Sequence, residues 1–286
     1  MKRSRTIHGL GAVDAAAVAP GGQWAELAYE AMAPVYDDFT AHHDYELWLG
    51  NLLPIARSHG LSGRRLLDVG CGTGKSFLPM LARGWEVTAC DISPSMLALA
   101  ASKAGDAARL SVADMRELPS FGEFDLVWAL DDAVNYLLSG EELGKALRGM
   151  RANLAPGGLL MFDVNTLQAY RTFFAEEQHV QRGGRRLVWR GQASPDMPSG
   201  AISEARLEAE SDDNNAERTD VKAHVHRQRH FPEAEVRELL EQAGLECLDA
   251  YGHGYDAVPK QPVEELVHTK VVYFARRAGI ESNDTN

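Results

Sequence analysis

Three glycines crowd the stretch Arg65, Leu66, Leu67, Asp68, Val69, Gly70, Cys71, Gly72, Thr73, Gly74, Lys75, directly after an apolar run that reads as a buried strand. Glycine in such a turn lets backbone approach a ligand closely and adopt φ values other residues avoid. Seventeen residues after Gly74, at the end of the next apolar run, stands Asp91. That is where a doubly wound sheet offers a carboxylate to ribose hydroxyls and repels a 2′-phosphate. A P-loop needs a glycine five positions before Gly74, and Val69 stands there; the GxGxxG fingerprint fails because Lys75 takes the place of its last glycine. ATP hydrolysis and nicotinamide chemistry are set aside on these grounds, leaving a different nucleoside-type site or a plain tight turn.

Two further groups of residues can do chemistry. Asp131, Asp132, Asn135 and Tyr136 follow the fourth apolar run, and Asp163, Val164, Asn165 and Thr166 follow the fifth. Ligands of open α/β sheets lie beyond the carboxyl ends of the strands, so these acids can orient a polar or cationic molecule. They can equally stabilise helix N-termini. In an extended 221–231 stretch, His224, His226, Gln228 and His230 share one face, and Val225, Arg227 and Arg229 the other. A histidine there can serve as a base near neutral pH, a solvated strand face being the plainer alternative. No acid or cysteine nearby completes a zinc pattern, so no metal is expected. His42 and His43 divide between the same two readings.

The elements that must position these groups follow from periodicity. From Gln23 to Ser62, apolar residues three or four apart predict cap helices. Short apolar runs at 65–69, 86–90, 109–112, 124–130 and 158–163, separated by helical stretches, predict a parallel sheet. Between Thr166 and His230 the period becomes two, with strands expected at 186–192, 201–210 and 221–230. Turns are marked by 194–200 and by the polar 211–220, which is too hydrophilic to pack. Pro232 opens a helix that Gly244 ends, and runs at 245–251 and 270–275 supply two more strands. The expected fold is α/β: a Rossmann-like, seven-stranded, mostly parallel sheet with N-terminal cap helices and a small antiparallel β insertion after the fifth strand. Residues 1–22 read as a mobile tail, 23–62 as the cap, 63–165 with 231–276 as the core, 166–230 as a lid-like insertion, and 277–286 as a second tail.

The chain has 286 residues, with 29 Lys and Arg against 41 Asp and Glu, a net charge of −12. That acidity argues against nucleic acid as partner, since such proteins need a basic stripe to displace counterions. No apolar run is long enough for a membrane span. The three cysteines, Cys71, Cys90 and Cys247, are odd in number and lack zinc spacing, which fits the reduced thiols of a cytoplasmic protein.

Leu67 to Gly74, LDVGCGTG, followed by Val87 to Met96, VTACDISPSM, resembles the first two motifs of class I S-adenosylmethionine (SAM) dependent methyltransferases. The likeness continues through Ala113, Asp114 and Met115, through 124–131, and through LAPGGLLMFD at 154–163. In the order of cap, core, insertion and returning helix, the chain further resembles bacterial sugar-amine N-methyltransferases. The resemblance implies SAM as cofactor, with Gly70, Gly72 and Gly74 beside its methionyl part, Asp91 on the ribose and Ile92 against the adenine. It implies that Asp114 accepts from the adenine amino group, that Met115 donates its backbone N–H, and that Leu130 offers a carbonyl to the ammonium. Asp68 would orient the loop through its amides or meet the ammonium, and Tyr36 resembles a tyrosine that closes over the cofactor or else is a core aromatic.

Methyl transfer from a sulfonium releases a neutral leaving group, so positioning does most of the work and a base is secondary. The expected catalytic residues are Asp132, Tyr136 and His226. The expected function is transfer of a methyl group to N, O or C of a small metabolite in natural-product metabolism. The alternatives are an RNA or protein methyltransferase, or a noncatalytic SAM-fold subunit. ALDDAVNY at 129–136 lacks the DPPY-like tetrapeptide of amino-group DNA methyltransferases. A homodimer is left open.

Overall fold

The computed structural model describes residues 23–182, 185–211 and 224–279; the tail expected at 1–22, residues 280–286 of the tail expected at 277–286, residues 212–220 of the polar turn expected at 211–220 and the start of the strand at 221–223 lie outside them, while Ser211 ends one strand and Arg277 another. In chain order the elements are α1 Gln23–Met32, α2 Tyr36–Phe39, α3 Tyr45–Ser58, β1 Arg65–Val69, α4 Leu78–Ala82, β2 Glu86–Asp91, α5 Pro94–Ala104, β3 Ala108–Val112, β4 Phe124–Ala129, α6 Gly140–Ala152 and β5 Leu154–Asn165. There follow α7 Leu167–Arg171, β6 Glu177–Arg182, β7 Arg185–Gly191, β8 Ile202–Ser211, β9 His224–Arg229, α8 Glu233–Gln242, β10 Leu245–His253 and β11 Lys270–Arg277.

The large sheet runs β10-β11-β5-β4-β1-β2-β3. Strands β1 to β5 pair in parallel, and β11 is antiparallel to both β5 and β10. Chain order reverses between β1 and β4, so their carboxyl ends splay and open a crevice. The central strands are buried on both faces, as parallel strands covered by helices must be. Leu67, Val69, Val127 and Phe162 pack on the α6/α8 side, and Leu66, Leu126, Trp128 and Met161 on the α3/α5 side.

Strands β6-β7-β8-β9 form the second, antiparallel sheet. It has four strands where the sequence predicts three. Its first strand, EQHVQR, carries a single strongly apolar residue and so shows no alternation to read. Its inner face joins α1 and α2 in a third core, with Met32, Val35, Phe39, Tyr170, Trp189 and Leu207.

The glycine turn divides by function. Gly70 and Gly72 line the crevice, whereas Gly74 is not among the residues that line it. Gly74 sits at φ +87°, and a Cβ there would lie 2.7 Å from the fully buried Phe77 ring. Its role is the turn into α4, whose Leu78 N–H donates to the Gly74 carbonyl. Gly74→Ala is therefore expected to lower unfolding stability by about 2 to 4 kcal/mol, combining left-handed strain with overpacking. Urea denaturation showing a loss under ~1 kcal/mol, the scale of a tolerated core swap, would mean the Phe77 ring gives way.

Candidate functional site

Every structural feature of the crevice starts at a strand end. The Cys90 carbonyl accepts the N–H groups of Gly70 (2.8 Å) and Cys71 (3.0 Å), bending the loop away from β1. Asp91 continues this, accepting from Gly72 N–H at 2.8 Å and Ser93 N–H at 2.9 Å. A carboxylate offers about four acceptor sites, so Asp91 keeps acceptor capacity beyond its backbone amide bonds. Burial, opposed by those amide bonds, pushes its pKa up to about 6.

Gly70, Gly72, Asp91, Ile92, Asp114, Met115 and Leu130 line one cavity. Asp114 is buried and both its oxygens meet the Arg116 guanidinium, at 2.9 and 3.0 Å, so one acceptor edge is already used. Asp68 is absent from that lining. Its side chain shares the α3/α5 face with Leu66 and accepts the Ser76 hydroxyl at 2.5 Å; burial pushes its pKa up to about 7. The loop amides are held by Cys90 and Asp91 instead, because Asp68 points beneath the loop.

The cap closes this cavity from above. Glu30 accepts from the Ser93 hydroxyl (2.6 Å), the Ser95 N–H (2.8 Å) and the Ser95 hydroxyl (2.6 Å). Asp37 accepts from the Thr73 hydroxyl at 2.6 Å and pairs with Lys103 at 2.5 Å. These contacts place Tyr29 and Tyr36 over the glycine turn, with rings 6.2 Å apart.

A second cavity, of about 350 Å³, lies between the cap, the antiparallel sheet and β11. The two share Tyr29, Tyr36, Tyr45, Asp131 and Tyr136, so these residues form the boundary between them. Asp131 and Asp132 sit there at φ +62° and +53°, left-handed conformations costing about 1 to 3 kcal/mol each for residues with a side chain. The fully buried Asp163 carboxylate holds them, accepting the N–H of Asp131 (2.6 Å) and of Asp132 (2.9 Å). Asp132 makes no side-chain cap hydrogen bond to the turn that follows it. After the fifth strand the roles split: Asn165 lines the second cavity, while Thr166 caps α7.

Lys270, at the start of β11, completes the cluster. Its ammonium lies 3.2 Å from Asp131, 2.5 Å from Asp132 and 3.0 Å from Asp163. Asp131 also meets His43 Nδ1 at 2.8 Å and accepts the Tyr45 hydroxyl at 3.1 Å. Burial pushes Asp131 up, but His43 and Lys270 outweigh it and hold this carboxyl well below the usual range. Burial lifts Asp132 and Asp163 above it despite Lys270. The Asp132 carboxylate also accepts the Gln228 amide at 2.6 Å.

His226, Gln228 and His230 are buried, so the β9 face is an internal wall rather than a solvated surface. His226 lines neither cavity: Tyr136 stands between, its hydroxyl 2.9 Å from His226 Nδ1. Burial lowers the His226 pKa to about 4, which makes its imidazole a weak base, and Tyr136 separates it from the cavity where it was expected to act. Of the predicted catalytic residues, Asp132 and Tyr136 face the second cavity directly. His43, read from the sequence as either a base or a solvated residue, is the partner of Asp131; Tyr29, Tyr45 and Lys270 escaped the sequence reading as site residues, and of these only Tyr29, seven residues before Tyr36 on the helical period, carried a signal.

A family profile described as a methyltransferase domain matches residues 66–158. A candidate methyltransferase of Geobacillus sp. is 28% identical over 247 residues, spanning 84% of this chain and 98% of that protein. The chain is a class I SAM-dependent methyltransferase. This methyltransferase is also 31% identical over 133 residues to dTDP-3-amino-3,4,6-trideoxy-alpha-D-glucopyranose N,N-dimethyltransferase of Streptomyces venezuelae, covering 46% of this chain and 56% of that one. A SAM-dependent methyltransferase of Clostridium acetobutylicum shares its fold with a TM-score of 0.72 at 22% identity, covering 88% of this chain and 99% of the other. Among the described residues, no helix is long and apolar enough to cross a membrane and no cluster is suited to a metal.

Two expectations follow. Between pH 6.5 and about 4 the unfolded chain protonates His226 and the folded chain does not, so His226 contributes stability that is lost as pH falls. His226→Gln should flatten the acid slope of unfolding free energy by up to one proton, read by urea denaturation at pH 6.5, 5.5 and 4.5; an unchanged slope would show that His226 titrates normally. Lys270→Met leaves three buried carboxylates without their cation and should cost about 3 kcal/mol near neutrality. The loss should grow as pH rises from 5 to 8, because the carboxyls are then held protonated only when folded; denaturation at the two ends of that range checks the sign.

Proposed function

We propose that this enzyme methylates an amine nitrogen of a small molecule held in the second cavity. The observation that carries the reading is the shared boundary: one wall of tyrosines and Asp131 faces both cavities, and Asp131 and Asp132 line the acceptor side. A concave site lined by carboxylates suits a compact cationic acceptor better than RNA or a protein surface.

The crevice residues fit SAM chemically. Bare backbone at Gly70 and Gly72 leaves room for the methionyl part, the remaining acceptor capacity of Asp91 matches a ribose diol, Ile92 and Met115 offer apolar contacts to adenine, and Asp114 keeps acceptor capacity for its amino group. The Leu130 carbonyl would meet the ammonium, and Tyr36 closes the cleft. When bound, SAM supplies an electrophilic methyl group on a sulfonium. The protein's part is to exclude water with the cap and the antiparallel sheet, to orient the acceptor, and to free its lone pair. An amine that arrives protonated must lose a proton, and Asp132, lifted above the usual carboxylate range by burial and facing the cavity, takes it. Tyr136, its hydroxyl held by His226, accepts an N–H of the amine and aims the lone pair.

The test separates the two halves. Asp91→Ala should weaken SAM binding by about 1.5 to 3 kcal/mol, the range for hydrogen bonds to a charged group, and wild-type affinity should fall below pH 6 as Asp91 takes a proton. Asp132→Asn should keep SAM affinity but slow labelled-methyl transfer to amines at pH 7, recovering as pH rises and the free amine becomes abundant. Calorimetry showing equal SAM affinity for Asp91→Ala would remove Asp91 from the site. Transfer to alcohols but to no amine would overturn the acceptor.

A further inference from the structure

Two kinds of side chain stand out in the lining of the acceptor cavity. Phe39, Trp48, Phe173, Trp189 and Tyr255 contribute aromatic surface, and Asp44, Asp131 and Asp132 contribute carboxylates. Among the described residues that line it there is no arginine and a single lysine, Lys270. An ammonium has three donors, and those of Lys270 meet three carboxylates, Asp131, Asp132 and Asp163. The remaining basic side chains are histidines: His43 is paired with Asp131, and burial pushes His42 and His253 below the ordinary imidazole value.

A phosphorylated acceptor needs paired cationic donors, most often a bidentate arginine, and this lining commits none to that purpose. A diphosphate would instead lie beside ionised Asp131. Aromatic faces and carboxylates in one lining fit a different molecule: a cation attracted to both the π surfaces and the carboxylates, on a body flat enough to stack. We infer that the acceptor is an arylalkylamine-type molecule, an amine on an aromatic body free of phosphate, and that the cavity rejects nucleotide-linked amino sugars of the kind named for the Streptomyces venezuelae relative. This rests on the methyltransferase reading with the acceptor in the second cavity.

Trp48 and Trp189 line the cavity, so intrinsic fluorescence reports its occupancy directly. The full-length protein is titrated with phenethylamine, ethylamine, phenylacetate, thymidine diphosphate and a dTDP-linked amino sugar, with SAM affinity measured in parallel by calorimetry. Phenethylamine should bind at least tenfold more tightly than ethylamine, which lacks the ring, and than phenylacetate, which reverses the charge; neither nucleotide should compete with it. Tyr255, 81% exposed at the cavity mouth, can be replaced without disturbing the core. Tyr255→Ala should weaken phenethylamine three- to tenfold and leave SAM affinity within twofold. Equal binding of ethylamine and phenethylamine, or tighter binding of the dTDP-linked sugar, overturns the inference while SAM binding keeps the methyltransferase reading intact. Failure to bind SAM removes that reading itself and this inference with it.

Discussion

The Asp163 carboxylate, fully buried at the end of β5, holds the centre of this enzyme together. It accepts two successive backbone N–H groups from residues in left-handed conformations and meets the Lys270 ammonium as well. Without an acceptor at that depth, the Asp131–Asp132 turn would leave two buried amides unpaired and two strained residues unsupported. With it, β4 turns sharply where it leaves the sheet, and Asp131 comes to face both cavities. The position of Asp131 and Asp132 is thus set by one carboxylate that itself lines neither cavity.

Charge balance around that turn explains why three acids tolerate one another. A buried carboxylate is costly unless paired and hydrogen-bonded. Lys270 touches all three, and His43 and Tyr45 add to Asp131 alone. That unequal support keeps Asp131 ionised while burial lifts Asp132, so neighbouring acids of the same type differ in acidity. Similar pairing operates in the cap, where Glu30 and Asp37 tie α1 and α2 to the start of α5 and to the glycine turn and so bring tyrosines to the boundary between the two cavities.

The parallel core was legible because its signals are local. Continuous apolar runs, the Gly70–Gly72 pair and an acid closing the next strand follow from the backbone geometry of a βαβ unit, and each lies where the family pattern expects it. Local reading failed where direction mattered. Asp68 and Gly74 belong to the same motif, yet one points beneath the loop to Ser76 and the other packs against Phe77. His226 was correctly placed on the face with Gln228 and His230, but period two cannot say that Tyr136 would stand between it and the cavity.

The chain's linear pattern determined the sheet, the glycine turn, the acid that closes the second strand and the existence of an antiparallel insertion, since hydrophobic period and turn chemistry act over a few residues. Tertiary structure alone decided the second cavity. Residues 43, 131, 163 and 270 meet beside it across separations of thirty residues and more, and buried charges acquire their pKa values, partners and strain only from neighbours that folding supplies.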